Sequence, residues 1–251
     1  MAGVQNHLIE LLPRAGRRTL LALCEPVELV LSEKLCITEE ATRFAYFPVN
    51  SIISLVTPID GKPVLEVGMV GREGMVGVEL VLGVQTAPLH AVVQGAGAAW
   101  RIPSRAFRRE LAASPALRVC LDRYLYVLMA QFGASAACLR FHLIGPRLAR
   151  WLLMMQDRAH ADHFHVTHEF LAYMLGVRRV GITAAAGVLQ RAGLIEYRRG
   201  ELIVLSRFQG LTYEQIGRIT GCETGTVKVR VFRAMKEMGQ VFHDLRREKA
   251  S

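Results

Sequence analysis

The sequence predicts an α+β protein: a small β barrel, then a long helix, then helix-turn-helix units. Three observations carry this reading. Short apolar runs recur evenly through residues 25–103, apolar residues switch to three- and four-residue steps over 115–145, and two helix–glycine–helix patterns follow residue 146. With 251 residues, 51% of them hydrophobic and 21% charged, the chain can bury more than one core, which excludes disorder as its overall state.

In the first stretch, Val27-Glu28-Leu29-Val30-Leu31, Ile52-Ile53-Ser54-Leu55-Val56 and Val64-Leu65-Glu66-Val67 are rich in β-branched residues. Turn chemistry separates them, at Pro58, Asp60-Gly61-Lys62-Pro63 and Gly71-Arg72-Glu73-Gly74. Strands this short, with glycines at the corners, predict a small barrel or jelly roll. The leucines of residues 8–23 have helical spacing and predict a cap on it.

Pro115 marks the start of the long helix, at a first-turn position that tolerates proline. Leu121, Leu125, Leu128, Phe132, Leu139 and Leu143 then form a stripe that ends near Gly145-Pro146. A helix of this length spans about 42 Å, longer than a small barrel can cover. Self-association along its outer part follows, with Leu121, Leu125, Leu128 and Phe132 as the expected dimer seam.

The third stretch carries the first informative motif. Leu148, Trp151, Leu152 and Met155 give one helix; Thr167 is an expected N-cap, with Glu169 in the first turn behind it. Leu175-Gly176-Val177 makes a turn, and a second helix runs from Arg178 to about Arg191 with Ile182, Ala185, Ala186 and Leu189 on its buried side. Residues 194–204 read as a two-stranded wing turning at Arg199-Gly200. Together these make a winged helix-turn-helix, whose second helix leads with its N-terminus into the major groove. Arg178 and Arg179 stand at that N-terminus, where guanidinium forks can take guanine O6 and N7 in two bonds.

Charge agrees with that placement. Residues 1–115 carry 11 basic and 11 acidic side chains, and residues 116–251 carry 20 and 11, so the whole net +9 lies in the second part. A polyanion is the partner this asymmetry implies.

The order of parts resembles the bacterial Crp/Fnr family of transcription regulators. The resemblance rests on Tyr46-Phe47-Pro48, on the run from Glu66-Val67-Gly68 through Glu73-Gly74-Met75-Val76-Gly77, on Arg147-Leu148-Ala149-Arg150-Trp151-Leu152-Leu153, and on Thr167-His168-Glu169-Phe170-Leu171-Ala172-Tyr173-Met174-Leu175-Gly176-Val177-Arg178-Arg179. It implies a cyclic-nucleotide-binding-like sensor barrel over residues 1–114, a dimerisation helix over 115–145 and a winged helix-turn-helix over 146–205. It also implies double-stranded DNA and RNA polymerase as partners of a homodimer. By position in the motif, Arg178, Arg179 and Thr183 fall where the family contacts bases, with Thr167 at the neighbouring cap. A glutamate that follows the key arginine in the best-known members is replaced by Val180.

The sensor departs from the family. Cyclic-nucleotide binders hold the phosphate with a glycine-glutamate turn and an arginine; Glu73-Gly74 keeps the turn in altered order, but the arginine position is Leu89. A buried phosphate without a charge partner costs several kcal/mol, so tight cyclic-AMP binding is not expected. Cys24 and Cys36 are isolated, whereas an iron–sulfur cluster needs about four close thiolates. The effector is left open.

The last stretch follows a different pattern. Thr212 and Gln215 form a capping box, Gly221-Cys222 makes a turn, and Val227, Val231, Ala234 and Met238 line one face of a helix. This second helix-turn-helix, within residues 206–251, resembles the promoter-reading fourth region of extracytoplasmic-function sigma factors, through Gly225-Thr226-Val227-Lys228, Arg230 and Arg233. Thr226, Lys228, Arg230 and Arg233 are the DNA-contacting residues it implies. Residues 201–208 would be helical in a sigma factor and strand in a wing; strand through Val204 and helix only after about Ser206 is the assignment made here.

Other chemistry is sparse. His160, His163, His165 and His168 match no zinc spacing, so no metal is expected. Gly95-Ala96-Gly97 falls short of a dinucleotide fingerprint, and Walker, GxSxG and HExxH motifs are absent, so neither cofactor nor catalysis is expected. Five cysteines without a CxxC pair, no secretory signal and no 18-residue apolar span predict a cytoplasmic protein with reduced thiols and no membrane segment. Two readings remain: a DNA-binding, signal-responsive regulator of the Crp/Fnr type, and a sigma-like initiation factor whose working part is the C-terminal helix-turn-helix.

Overall fold

The computed structural model describes residues 6–59, 62–159, 163–191, 194–198 and 201–204. They fall into two compact units that divide between Phe132 and Gly133.

The first unit opens with two short helices, α1 (His7–Glu10) and α2 (Arg14–Ala22), rather than one continuous cap. Pro13 separates them, since it has no N–H to continue the first helix. Seven strands follow: β1 (Glu25–Leu29), β2 (Lys34–Cys36), β3 (Phe44–Pro48), β4 (Ile52–Ile59), β5 (Lys62–Val70), β6 (His90–Gly95) and β7 (Gly97–Pro103). They pair antiparallel in two sheets, ordered β1-β7-β3 and β2-β6-β4-β5, which is the expected jelly-roll architecture. Helices α3 (Ser104–Ala113) and α4 (Pro115–Phe141) complete the unit and leave it.

Alternation along β3 shows how two cores arise from one strand. Phe44 and Tyr46 point between the sheets, where they meet Leu29, Ile53, Leu55, Val70 and Val93. Ala45 and Phe47 point the other way, into a second core built from Leu8, Ile9 and Leu20 of the opening helices, Phe107 of α3, and Leu117, Leu121 and Tyr124 of α4. Phe47 and Phe107 meet there as tilted rings with centroids 6.4 Å apart.

The leucine stripe of α4 therefore has a different occupant from the expected one. Leu121 is fully buried among the helices, and Leu128 closes the core between the sheets. Leu125 packs against the first core and Phe132 against the second. Leu121 and Leu128 are thus used within their own unit, and Leu125 and Phe132, expected beside them in a dimer seam, are half-buried against the same two cores. On the opposite side Val119, Tyr126 and Met129 are exposed, Tyr126 by 70%. With exposed Asp122 they follow a four- and three-residue spacing, that of a coiled-coil seam.

Helix α4 is pinned to β5 by one amide. Gln131 Oε1 accepts from the Met69 N–H at 2.7 Å, and its Nε2 donates to the Met69 carbonyl at 3.2 Å. The strand approaches this closely because position 68 is glycine: a Cβ there would lie 2.9 Å from both Gln131 Oε1 and Phe132 Cε1.

The second unit contains α5 (Ile144–Ala159), β8 (His163–His165), α6 (His168–Leu175), α7 (Arg179–Arg191), β9 (Ile195–Arg198) and β10 (Glu201–Val204). The long helix ends at Phe141, a few residues before the expected Gly145-Pro146, because Pro146 is accommodated in the first turn of α5. The three strands pair in the order β8-β10-β9, with Glu201 opposite both His165 and Arg198. Residues 201–204 are strand, as the wing assignment requires. Among the described residues, no single helix is long and apolar enough to cross a membrane.

Replacing Gly68 with Ala should destabilise the first unit by about 1–3 kcal/mol, because the added methyl forces α4 away from β5. Denaturant unfolding followed by Trp100 fluorescence checks this; an unchanged midpoint would show that the contact yields freely.

Candidate nucleic-acid interface

Helix α6 begins at a real cap. Thr167 is extended, and its Oγ1 accepts from the Phe170 N–H at 3.1 Å, which satisfies one of the free donors of the first turn. Glu169 beside it favours the positive end of the helix dipole. The helix stops at Gly176, whose φ of 61° is left-handed and open to glycine at little cost. There the Val177 N–H bonds back to the Ala172 carbonyl at 2.9 Å and the Gly176 N–H to Tyr173 at 3.2 Å, a Schellman stop. The Arg147 guanidinium donates to the Leu175 carbonyl and covers the same helix end.

Helix α7 leaves this turn at 110° to α6, the geometry of a helix-turn-helix. Ile182, Ala185, Ala186 and Leu189 are buried at helical spacing, where α7 packs against α5 and α6. Burial of that side turns the other outward: Arg178, Arg179, Val180, Thr183 and Ala184 are all exposed. The two arginines, the valine and the threonine thus share one uncovered surface at the N-terminal end of α7. A helix N-terminus flanked by two guanidinium groups is suited to a phosphate or a base edge.

Two further residues brace this surface. His168 stacks on Tyr197 of β9 with ring centroids 4.4 Å apart, and its Nδ1 lies 3.0 Å from Thr183 Oγ1. The Thr183 hydroxyl also lies 3.2 Å from the Arg179 carbonyl. Having one proton, it donates to that carbonyl and accepts from a protonated Nδ1, an assignment made from the network. The Tyr197 hydroxyl donates to the Val166 carbonyl at 2.8 Å. Wing, first helix and second helix are therefore joined through His168. Its Nε2 is buried and has no hydrogen-bond partner among the described residues. Burial, helped by the Arg179 charge, holds the His168 pKa below the ordinary histidine value.

The sequence reading named Thr167, Arg178, Arg179 and Thr183 for this surface, and all four are exposed residues of one module. It missed His168 and Tyr197. The signal available was a histidine directly after the cap residue, read instead as one of four loop histidines. Thr226, Lys228, Arg230 and Arg233 lie outside the described residues.

The first unit also buries an acidic side chain that the sequence reading did not single out. It is Glu79, in a 3-10 turn at Val78–Leu80 behind left-handed Gly77, and it accepts from the Thr42 hydroxyl. Leu89 packs against the core between the sheets. Burial pushes the Cys24 and Cys36 thiols up to about 12, which keeps both protonated and unreactive at neutral pH.

Comparison with known proteins agrees with this arrangement. Residues 146–213 match the Crp-like helix-turn-helix domain, and residues 196–238 match sigma-70 region 4. The sequence matches no curated protein. The fold is similar to that of the c-di-GMP responsive global regulator CLP of Xanthomonas campestris, at a TM-score of 0.64 and 16% identity, covering 77% of this chain and 100% of that one. It is also similar to a putative transcriptional regulator of the Crp/Fnr family from Eubacterium rectale, at 0.63 and 13%, covering 79% and 93%. FixK2 of Bradyrhizobium japonicum is similar at 0.64 and 12%, covering 74% and 95%. Residues 146–213 therefore carry a Crp-like helix-turn-helix domain, and the fold as a whole is that of the Crp/Fnr-type structures above. To this the chain adds a segment matching sigma-70 region 4, which begins inside the wing hairpin at residue 196.

The brace at His168 gives the module a pH dependence of definite sign. Its folded-state pKa is lowered, so the unfolded chain binds more protons. This contribution to stability is therefore fully present above about pH 6.5 and lost as the pH falls from there through the lower folded-state value. Thermal melting between pH 8 and pH 5 should show the second unit weakening, and His168→Gln should flatten that dependence. An unchanged slope in the variant would remove His168 as its cause.

Proposed function

We propose that the chain acts as a homodimer that binds double-stranded DNA in a sequence-specific way and regulates transcription. The observation that carries this is the uncovered face of α7, where Arg178, Arg179 and Thr183 stand together at the helix N-terminus of a helix-turn-helix. Arg179 takes a guanine edge in the major groove, Arg178 and Thr167 hold the backbone beside it, and Thr183 lies along the same groove wall. The net +9 of residues 116–251 supports phosphate contacts around these.

The dimer seam is the outer side of α4, through Val119, Asp122, Tyr126 and Met129 rather than the buried leucines. A homodimer carries two copies of α7, so the operator is a two-fold repeat with half-sites about one turn of DNA apart. RNA polymerase is the second partner, as a regulator of this kind requires. The sensor unit biases the helix pair, and its effector is not a cyclic nucleotide held in the usual way, because Leu89 offers a phosphate no charge.

The match of residues 196–238 to sigma-70 region 4 favours a second reading, in which the C-terminal helix-turn-helix reads a promoter element with Thr226, Lys228, Arg230 and Arg233. The regulator reading is preferred because residues 195–198 and 201–204, across the start of that match, are wing strands of the first module. In this reading the tail residues add phosphate contacts.

Replacing Arg179 with Ala should weaken binding to the selected operator by about 1–3 kcal/mol and relax preference at one base pair per half-site. Gel-shift titration on operator and scrambled DNA measures both; equal losses on the two would reduce Arg179 to a phosphate contact. Tyr126→Glu combined with Met129→Glu should give monomers by sedimentation, because two new charges per copy would face each other across the seam. Persistence of the dimer would move the seam elsewhere.

A further inference from the structure

Val180 has an exposure that its chemistry does not explain. In the first turn of α7 its side chain is 72% exposed, although four positions of the same helix have apolar burial available. It stands directly beside Arg179, with Thr183 and Ala184 on the next turn of the same uncovered face. An isopropyl group left in water gains nothing for the fold, and a β-branched residue is a poorer helix former than Ala.

Resting on the reading above that α7 enters the major groove, we propose that Val180 selects a thymine by contact with its 5-methyl group. Val180 has no donor or acceptor, so it cannot distinguish bases by hydrogen bonds. The major groove offers one apolar feature for such a side chain, the thymine methyl. Two arginines directly precede the valine and supply the charge complementarity that brings a duplex to it. The side chain is also stiff about χ1, so little freedom is lost when it is fixed against a methyl group. Ala184, four residues on, lies on the same side and extends the apolar strip without blocking it. Adjacent residues at the start of a recognition helix face neighbouring base pairs. The selected thymine is therefore next to the guanine taken by Arg179.

The test uses the full chain on its operator selected from random DNA. Each thymine of a half-site is replaced in turn by deoxyuridine, which removes the methyl group and keeps every hydrogen-bonding edge. One position per half-site should weaken binding about three- to fivefold, the loss expected for one buried methyl. In Val180→Ala the ratio between thymine and deoxyuridine at that position should fall to near one, while guanine preference beside it persists. Val180 is exposed and Ala favours helix, so the variant's melting temperature serves as the folding control. At the same position cytosine should bind poorly and 5-methylcytosine better. An operator preference that persists while deoxyuridine is tolerated everywhere would overturn the thymine contact and leave the DNA-reading function standing. Absence of any sequence preference would overturn both.

Discussion

The burial of one side of α7 is the constraint from which the rest of the second unit follows. Ile182, Ala185, Ala186 and Leu189 give the helix a single side that can leave water, and packing that side settles where every other residue points. Arg178, Arg179, Val180 and Thr183 are outside because those four are inside. The surface is then held against rotation by hydrogen bonds and stacking: Thr183 to His168, His168 against Tyr197, and Tyr197 to the backbone at Val166. A recognition surface needs such bracing, because a slight displacement of an arginine fork breaks a two-bond contact with a base.

Helix α4 shows the same logic with both sides in use. Its leucines bind it to the first unit's two cores, and Gln131 adds two hydrogen bonds to the Met69 backbone. Its outer side keeps Val119, Tyr126 and Met129 free. The strand at Gly68 and Met69 is therefore tied to a helix whose other side faces water.

Local rules made the helix-turn-helix legible in the sequence. Thr167, Gly176 and the apolar spacing of α7 each act within a few residues, so the cap, the stop and the exposed arginines could be read directly. The jelly roll was legible as a class from its turn spacing. What could not be read was which partner a buried surface meets. The stripe through Leu121, Leu125, Leu128 and Phe132 says that one side of α4 leaves water, and a barrel or a second helix would satisfy it equally. The same applies to Glu79 and His168: both owe their roles to residues 37 and 15 positions away, Thr42 and Thr183. Single-chain periodicity carries no record of such pairings.

The central claim is that this is a dimer reading DNA through two copies of α7. Selection of bound sequences from random duplex DNA with the full chain tests it most directly. The account predicts an enriched two-fold repeat, with half-site centres about one helical turn, or 10 base pairs, apart and a guanine in each half. Enrichment of a single asymmetric element with no repeat would contradict it, and would transfer the reading function to the C-terminal segment that matches sigma-70 region 4.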